Sequence, residues 1–325
     1  MRSAIHASFG VPGEVLALGN SPVPEPGAGQ VRIRTLLSPI HNHDLWTVRG
    51  QYGYKPTLPA IGGSEAAGIV DALGVGVEGI AVGQRVAVAS VHGTWAEYFL
   101  APAQAVVPVP ELISDEVAAQ LIAMPFSAIS LLDFLHVEHG DWIIQNAASG
   151  AVGKTLAIVA KARGIHVINL VRRDASVGEL AALGIGHAVS TTQDEWQQHV
   201  LSITAGAPIR AAVDSLGGKA SGDLLALLGE NGLLVSFGAT GEGSMQLSSA
   251  ELIFKQVTVK GFWGSKVSAA MHAETRRRLI AELLRLAASG ELKLPVEAIF
   301  DLAEVGQAAV GSAQSGRKGK VLLRP

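Results

Sequence analysis

A chain of 325 residues that is 48% hydrophobic and only 16% charged can bury a large core and has the length for two domains, which excludes a disordered polymer. The formal net charge of −3 comes with no basic tail or stripe, so no nucleic-acid or acidic-lipid surface is expected, and the arginine run at 276–278 reads as a solvated helix face. The complete absence of cysteine excludes disulfides, thiolate zinc sites, iron–sulfur clusters and a cysteine nucleophile together.

In chain order, the N-terminus lacks a compact apolar segment with a small-residue cleavage site. The short runs "QVRIRTLL", "AAGIVDAL", "QRVAVAS" and "AEYFLA" follow, separated by glycine and proline, and predict a β-rich lobe up to residue 115. Residues 115–135 read as helical; the most apolar long stretch, 117–135, is broken by Gln120, Pro125 and Asp133, so no membrane span is expected. From there strand and helix alternate: strand "DWIIQNA", helix "VGKTLAIVAKARG", strand "HVINLV", helix "SVGELAALG", strand "AAVDSL", helix "SGDLLALLG", strand "GLLVSFG". That alternation is the signature of a doubly wound parallel sheet. A helix at 273–288 and a terminal "KGKVLLRP" return to mixed elements. The expected class is α/β, with a β-rich domain at 1–115 and 266–325 and a dinucleotide-type domain at 116–265, in a cytoplasmic protein.

The turn "NAASGAVGKT" admits two phosphate chemistries. Ala148, Gly153, Lys154 and Thr155 fit a relaxed triphosphate loop, with Asp214 as the carboxylate that would hold Mg²⁺. Ala148, Gly150 and Gly153 fit instead the turn of a dinucleotide fold, where a pyrophosphate meets the first N–H groups of a helix, here those of Ala151, Val152 and Gly153. The second reading explains more, because the next strand ends where such folds recognise the adenosine ribose. It ends in Arg172 and Arg173 with no carboxylate, which suits a 2′-phosphate and so NADPH.

These segments, with "PAIGGSEAAGIV", "GTWAEYFLAP", "AAVDSLGGKASGDLLALLGENGLLVSFGATG" and "GKVLL", resemble the medium-chain dehydrogenase/reductase superfamily over almost the whole chain. The resemblance implies a GroES-like substrate domain, a Rossmann domain and a cofactor in the cleft between them. Within the superfamily, "IIQNAASGAVG", "VINLVRR" and "LIFKQVTVKGFW" are most similar to the 2-enoyl thioester reductases, then to the quinone oxidoreductases. The positions of the Cys–His–Cys catalytic zinc set align with His41, Ser64 and Met124, a poor donor set for Zn²⁺, so no metal is expected. A residual metal reading rests on His41, His43 and Asp44 beside Glu65, although two histidines two residues apart tend to diverge.

The resemblance further implies roles for individual residues. Tyr52 matches the proton donor of the enoyl reductases, but a similar tyrosine also occurs in quinone reductases, so it does not separate the two; Tyr54 is close enough to be confused with it. Ser127, Phe237, Gly238, Phe262, Trp263 and Lys318 match cofactor-contacting positions, and His41, Asn42, Tyr52 and Trp263 line the substrate site. The implied activity is NADPH-dependent reduction of an activated C=C bond in an enoyl thioester; a quinone or other enone stays open as acceptor. A P-loop ATPase and an idle cofactor-binding protein also stay open. The segment "QVTVKGFW" resembles the strand through which family dimers join, so a homodimer is expected.

Overall fold

The computed structural model describes residues 1–238, 241 and 243–325. The chain divides into two units, Met1–Ala123 with Glu282–Pro325, and Met124–Ala281.

The first unit is β-rich because its strands alternate. In Gln30–Pro39, Val31, Ile33 and Leu37 are buried while Arg32 and Arg34 point away, the period that a half-buried strand requires. That strand lies at the middle of a sheet ordered Val296–Asp301, Lys320–Arg324, Gln30–Pro39, Glu65–Leu73, Arg85–Ala89, Val106–Pro108, and Tyr98–Pro102 also pairs with it. The pairings are antiparallel except that of Val296–Asp301 with Lys320–Arg324. Gly68 allows the close pairing opposite Thr35, since a Cβ there would lie 2.4 Å from the Arg34 carbonyl oxygen. A three-stranded antiparallel sheet of Ala17–Asn20, Arg2–His6 and Ala60–Ile61, not foreseen in the sequence, completes the unit.

The second unit is a six-stranded, wholly parallel sheet in the order Ala188–Ser190, His166–Val171, Trp142–Gln145, Ile209–Asp214, Leu228–Ser236, Thr258–Gly261. The order reverses between Trp142–Gln145 and Ile209–Asp214, the switch point at which doubly wound folds bind ligands. In His166–Val171 every residue after the first is buried, as expected of a strand covered on both faces. The α/β class is therefore as expected.

The helical segment expected over 115–135 comprises two helices, Asp115–Ala118 and Ala123–Phe134. The break comes where the Ile122 and Ala123 N–H groups donate to the Glu65 side chain, at 2.7 and 2.6 Å. Among the described residues no helix is long and apolar enough to cross a membrane.

Candidate active site

In the parallel-sheet unit the turn after Trp142–Gln145 leads into the helix Ala151–Ala162, with Gly150 as its N-cap. Ala147 takes a left-handed φ of 51°, and Ala148 is buried beneath the helix start. A Cβ on Gly153 would stand 2.7 Å from Ala148 Cα, so only glycine lets the first helical turn rest on the loop. The N–H groups of Ala151, Val152 and Gly153 have no partner within the helix and carry the positive end of its dipole. These features fit a dinucleotide pyrophosphate.

Asp214 decides against the triphosphate reading. It is fully buried, its Oδ1 accepts from Asn146 Nδ2 at 2.7 Å and from the Leu216 and Gly217 N–H groups at 2.9 and 3.0 Å, and its Oδ2 accepts from Ser221 at 2.5 Å. Asn146 Oδ1 in turn accepts the Ser215 N–H. A fully buried carboxylate that accepts four hydrogen bonds is committed to the fold instead of being presented to Mg²⁺; it ties the glycine-rich turn to the neighbouring strand.

At the end of His166–Val171, Arg173 is paired with Glu179 at 3.0 Å, while Arg172 makes no hydrogen bond or ion pair among the described residues and is exposed. Of the two guanidinium groups expected at a 2′-phosphate, Arg172 alone is unengaged. Ser127 Oγ lies beside Gly264, 3.2 Å from where a Cβ would stand there, and Gly238 is in similarly close contact with the Ser215 carbonyl. Phe262 is core, packed between Phe134 (5.2 Å) and Phe237 (5.9 Å), so it supports its surroundings rather than presenting a face. Trp263 is 60% exposed.

In the β-rich unit, His41 caps the helix Asn42–Val48 in an extended conformation and His43 sits in its first turn. That bend corrects the expectation of divergence: the two imidazoles stack 5.0 Å apart at 15°. His41 Nε2 contacts Glu65 Oε2 at 2.7 Å, both side chains fully buried. Burial lowers His41 well below the usual imidazole range, with Lys320 adding to the effect, and raises Glu65 to about 8 against the two N–H bonds it accepts. Both directions disfavour an imidazolium–carboxylate ion pair, so the contact is a hydrogen bond. Partly buried Lys320 is lowered to about 8, mainly by burial and then by Arg317. Ser64 Oγ donates to Asp44 Oδ1 at 2.6 Å and contacts His43 Nε2 at 2.7 Å, while Asp44 Oδ2 accepts the His41 N–H.

Tyr52 leans on His43, ring centres 5.7 Å apart, and its hydroxyl makes no hydrogen bond among the described residues. Tyr54 belongs to a different contact, stacked 4.1 Å from His92. His92 was not singled out in the sequence, where a lone histidine after "ASV" carries no local signal. Asn42 and Lys318 are exposed.

The zinc test fails on chemistry. His41 Nε2 is taken by Glu65, leaving a buried Nδ1 without a partner, the Ser64 hydroxyl is taken by Asp44 and His43, Met124 offers only a thioether, and among the described residues no group of three or more histidines, cysteines or acids is arranged to hold a metal ion.

A doubly wound sheet with a glycine-rich turn that fits a dinucleotide, joined in one chain to a β-rich unit carrying a tyrosine beside stacked imidazoles, defines a nicotinamide-type oxidoreductase. Residues 27–111 match the alcohol dehydrogenase GroES-like domain and residues 151–284 the zinc-binding dehydrogenase family. The mitochondrial enoyl-acyl-carrier-protein reductase of Bos taurus is 32% identical over 302 residues, 91% of this chain and 81% of that protein. The Escherichia coli quinone oxidoreductase complexed with NADPH superposes with a TM-score of 0.89 at 25% identity, covering 100% of both chains. A quinone oxidoreductase of Pseudomonas syringae gives 0.86 at 27%, again over 100% of both. The chain belongs to the medium-chain dehydrogenase/reductase superfamily.

Proposed function

We propose that this chain is a zinc-independent, NADPH-dependent reductase of activated C=C bonds whose substrate is a 2-enoyl thioester. The observation that carries the reading is Tyr52, a half-buried tyrosine with an uncommitted hydroxyl, standing beside a hydrogen-bonded imidazole cluster where zinc relatives keep a Lewis acid. The naming of the Bos taurus relative supports the thioester over other acceptors.

The N–H groups of Ala151, Val152 and Gly153 would hold the dinucleotide's pyrophosphate, Arg172 would meet its 2′-phosphate, and Ser127 and Trp263 would contact the nicotinamide. When bound, NADPH supplies the hydride. Tyr52 then meets what remains of the chemistry: its O–H donates to the carbonyl oxygen on which charge develops, or hands a proton to the α-carbon. The family's quinone oxidoreductases keep a second reading in play, in which a quinone is the acceptor. A cytoplasmic location and a homodimer belong to the same proposal. The exposed edge strand Thr258–Gly261 supports the dimer, and cell fractionation tests the location.

The deciding experiment is NADPH oxidation measured side by side with enoyl thioesters, quinones and simple enones. Turnover highest with thioesters is expected; turnover with quinones alone replaces the substrate, and turnover with none supports the idle cofactor-binding reading. One zinc per chain by elemental analysis, with activity lost to chelator, would overturn the zinc-independent part.

A further inference from the structure

We propose that His43 is a positioning residue for the reaction: it holds the Tyr52 ring in the orientation that places its hydroxyl. This rests on the reading of Tyr52 as proton donor. Tyr52 needs such help, because residues 51–59 form no helix or strand and nothing in local backbone pairing fixes its χ1. The ring contact it makes with His43 is tilted by 32° at 5.7 Å.

His43 is itself held from two sides. Ser64 donates its proton to Asp44, an acceptor-only carboxylate that also takes the His41 N–H, so the 2.7 Å contact is His43 Nε2–H donated to Ser64 Oγ. This assigns the tautomer and fixes the ring edge. The ring face is fixed by the stack on His41, and His41 cannot move because Glu65 holds its Nε2 while itself accepting the Ile122 and Ala123 N–H groups. The rigid order therefore runs from the buried Glu65 through His41 and His43 to a tyrosine on an irregular loop. Positions that would serve a metal in zinc relatives serve here as a scaffold for the acid. Tyr54 is outside this order, since its support is His92.

A double-mutant cycle in the full-length enzyme tests this, with enoyl-CoA as acceptor. His43→Ala is expected to lower kcat by about 10- to 100-fold, the range for a misplaced reacting group, with the dissociation constant of NADPH unchanged. In a Tyr52→Phe background the same change should cost almost nothing, because the hydroxyl it positions is gone. His43→Phe, which keeps a ring against Tyr52, should recover part of the rate. Ser64→Ala, which frees the ring edge without removing the ring, should give a smaller loss that Tyr52→Phe again absorbs. Unchanged kcat in His43→Ala, or an equal loss in both backgrounds, overturns the proposal. If His43→Ala does not fold, the Ser64→Ala arm decides on the same criterion. Wild-type enzyme inactive on thioesters tells against the substrate instead, and the cycle then runs on the acceptor that is reduced. Full activity in Tyr52→Phe removes both the acid and its positioning residue.

Discussion

Tyr52 and Tyr54 are two residues apart and chemically identical, yet they rest on different histidines. If the Tyr52 hydroxyl acts in the transition state, Tyr52→Phe should lower kcat on an enoyl thioester by about 10²- to 10⁴-fold with NADPH binding intact, while Tyr54→Phe costs little. Steady-state kinetics with both variants checks this, and a damaging Tyr54→Phe reverses the assignment. If the proposed NADPH preference holds, Arg172 is the side chain expected to carry it, since Arg173 is already paired with Glu179. Arg172→Gln should weaken NADPH by about tenfold or more and leave NADH unchanged, one charge-assisted contact contributing about 1.5–3 kcal/mol. Equal loss for both cofactors by fluorescence titration counts against the 2′-phosphate role. Glu65 predicts a pH effect on stability. Its folded pKa is raised from 4.5 to about 8, so its contribution is complete below 4.5 and is lost as pH rises toward about 8. His41, lowered from 6.5, works in the opposite direction only below 6.5. Between 6.5 and about 8 the wild type should therefore lose stability relative to Glu65→Gln as pH rises, read from urea midpoints.

At the scale of elements, a buried polar knot at Asp214 ties parts of the parallel-sheet unit together. Asp214 joins the end of its own strand to Asn146 at the glycine-rich turn and to Ser221 on the next helix. Asp214→Ala would strand several buried donors at once and should destabilise the fold by about 3–5 kcal/mol, seen in chemical denaturation. A loss below about 1 kcal/mol would show that water replaces the carboxylate at little cost. The strand-and-turn part of this site was legible in the residues: glycine spacing and the apolar run before it imply a tight strand-to-helix turn. The knot was not, because Asn146 and Asp214 are far apart in the chain and meet only once their strands pair with the order reversed between them. The broken helix at 119–122 has the same origin, since the acceptor that interrupts it, Glu65, lies on a distant strand.

For the whole molecule, the edge strand Thr258–Gly261 is exposed along its length, with Val259 39% exposed and Ile253 and Phe254 on the preceding helix 65% and 81% exposed. An unpaired apolar edge invites association, and a second copy of the same edge would cover it with closed two-fold symmetry. Light scattering at micromolar concentration should give a dimer, and Val259→Lys, a charge on that edge, should shift it toward monomer. A wild-type monomer ends the dimer reading.

The sequence by itself determined the class of fold, because hydrophobic periods of two and of three to four residues, punctuated by glycine, are local properties of the chain. It also carried the glycine spacing of a tight strand-to-helix turn and the poor donor types at the aligned zinc positions, since both are matters of residue type at fixed spacing, while the choice between the two phosphate chemistries waited on the contacts of Asp214. Only the tertiary structure decided that His41 and His43 stack, that Arg173 is occupied while Arg172 is unengaged, that Phe262 is core, and that Tyr52 and Tyr54 part company. Each of those outcomes turns on which side chain packing brings into contact, whether from a neighbouring turn or from elsewhere in the chain. Sequence spacing does not encode such contacts, because they exist only after packing has selected one rotamer and one neighbour.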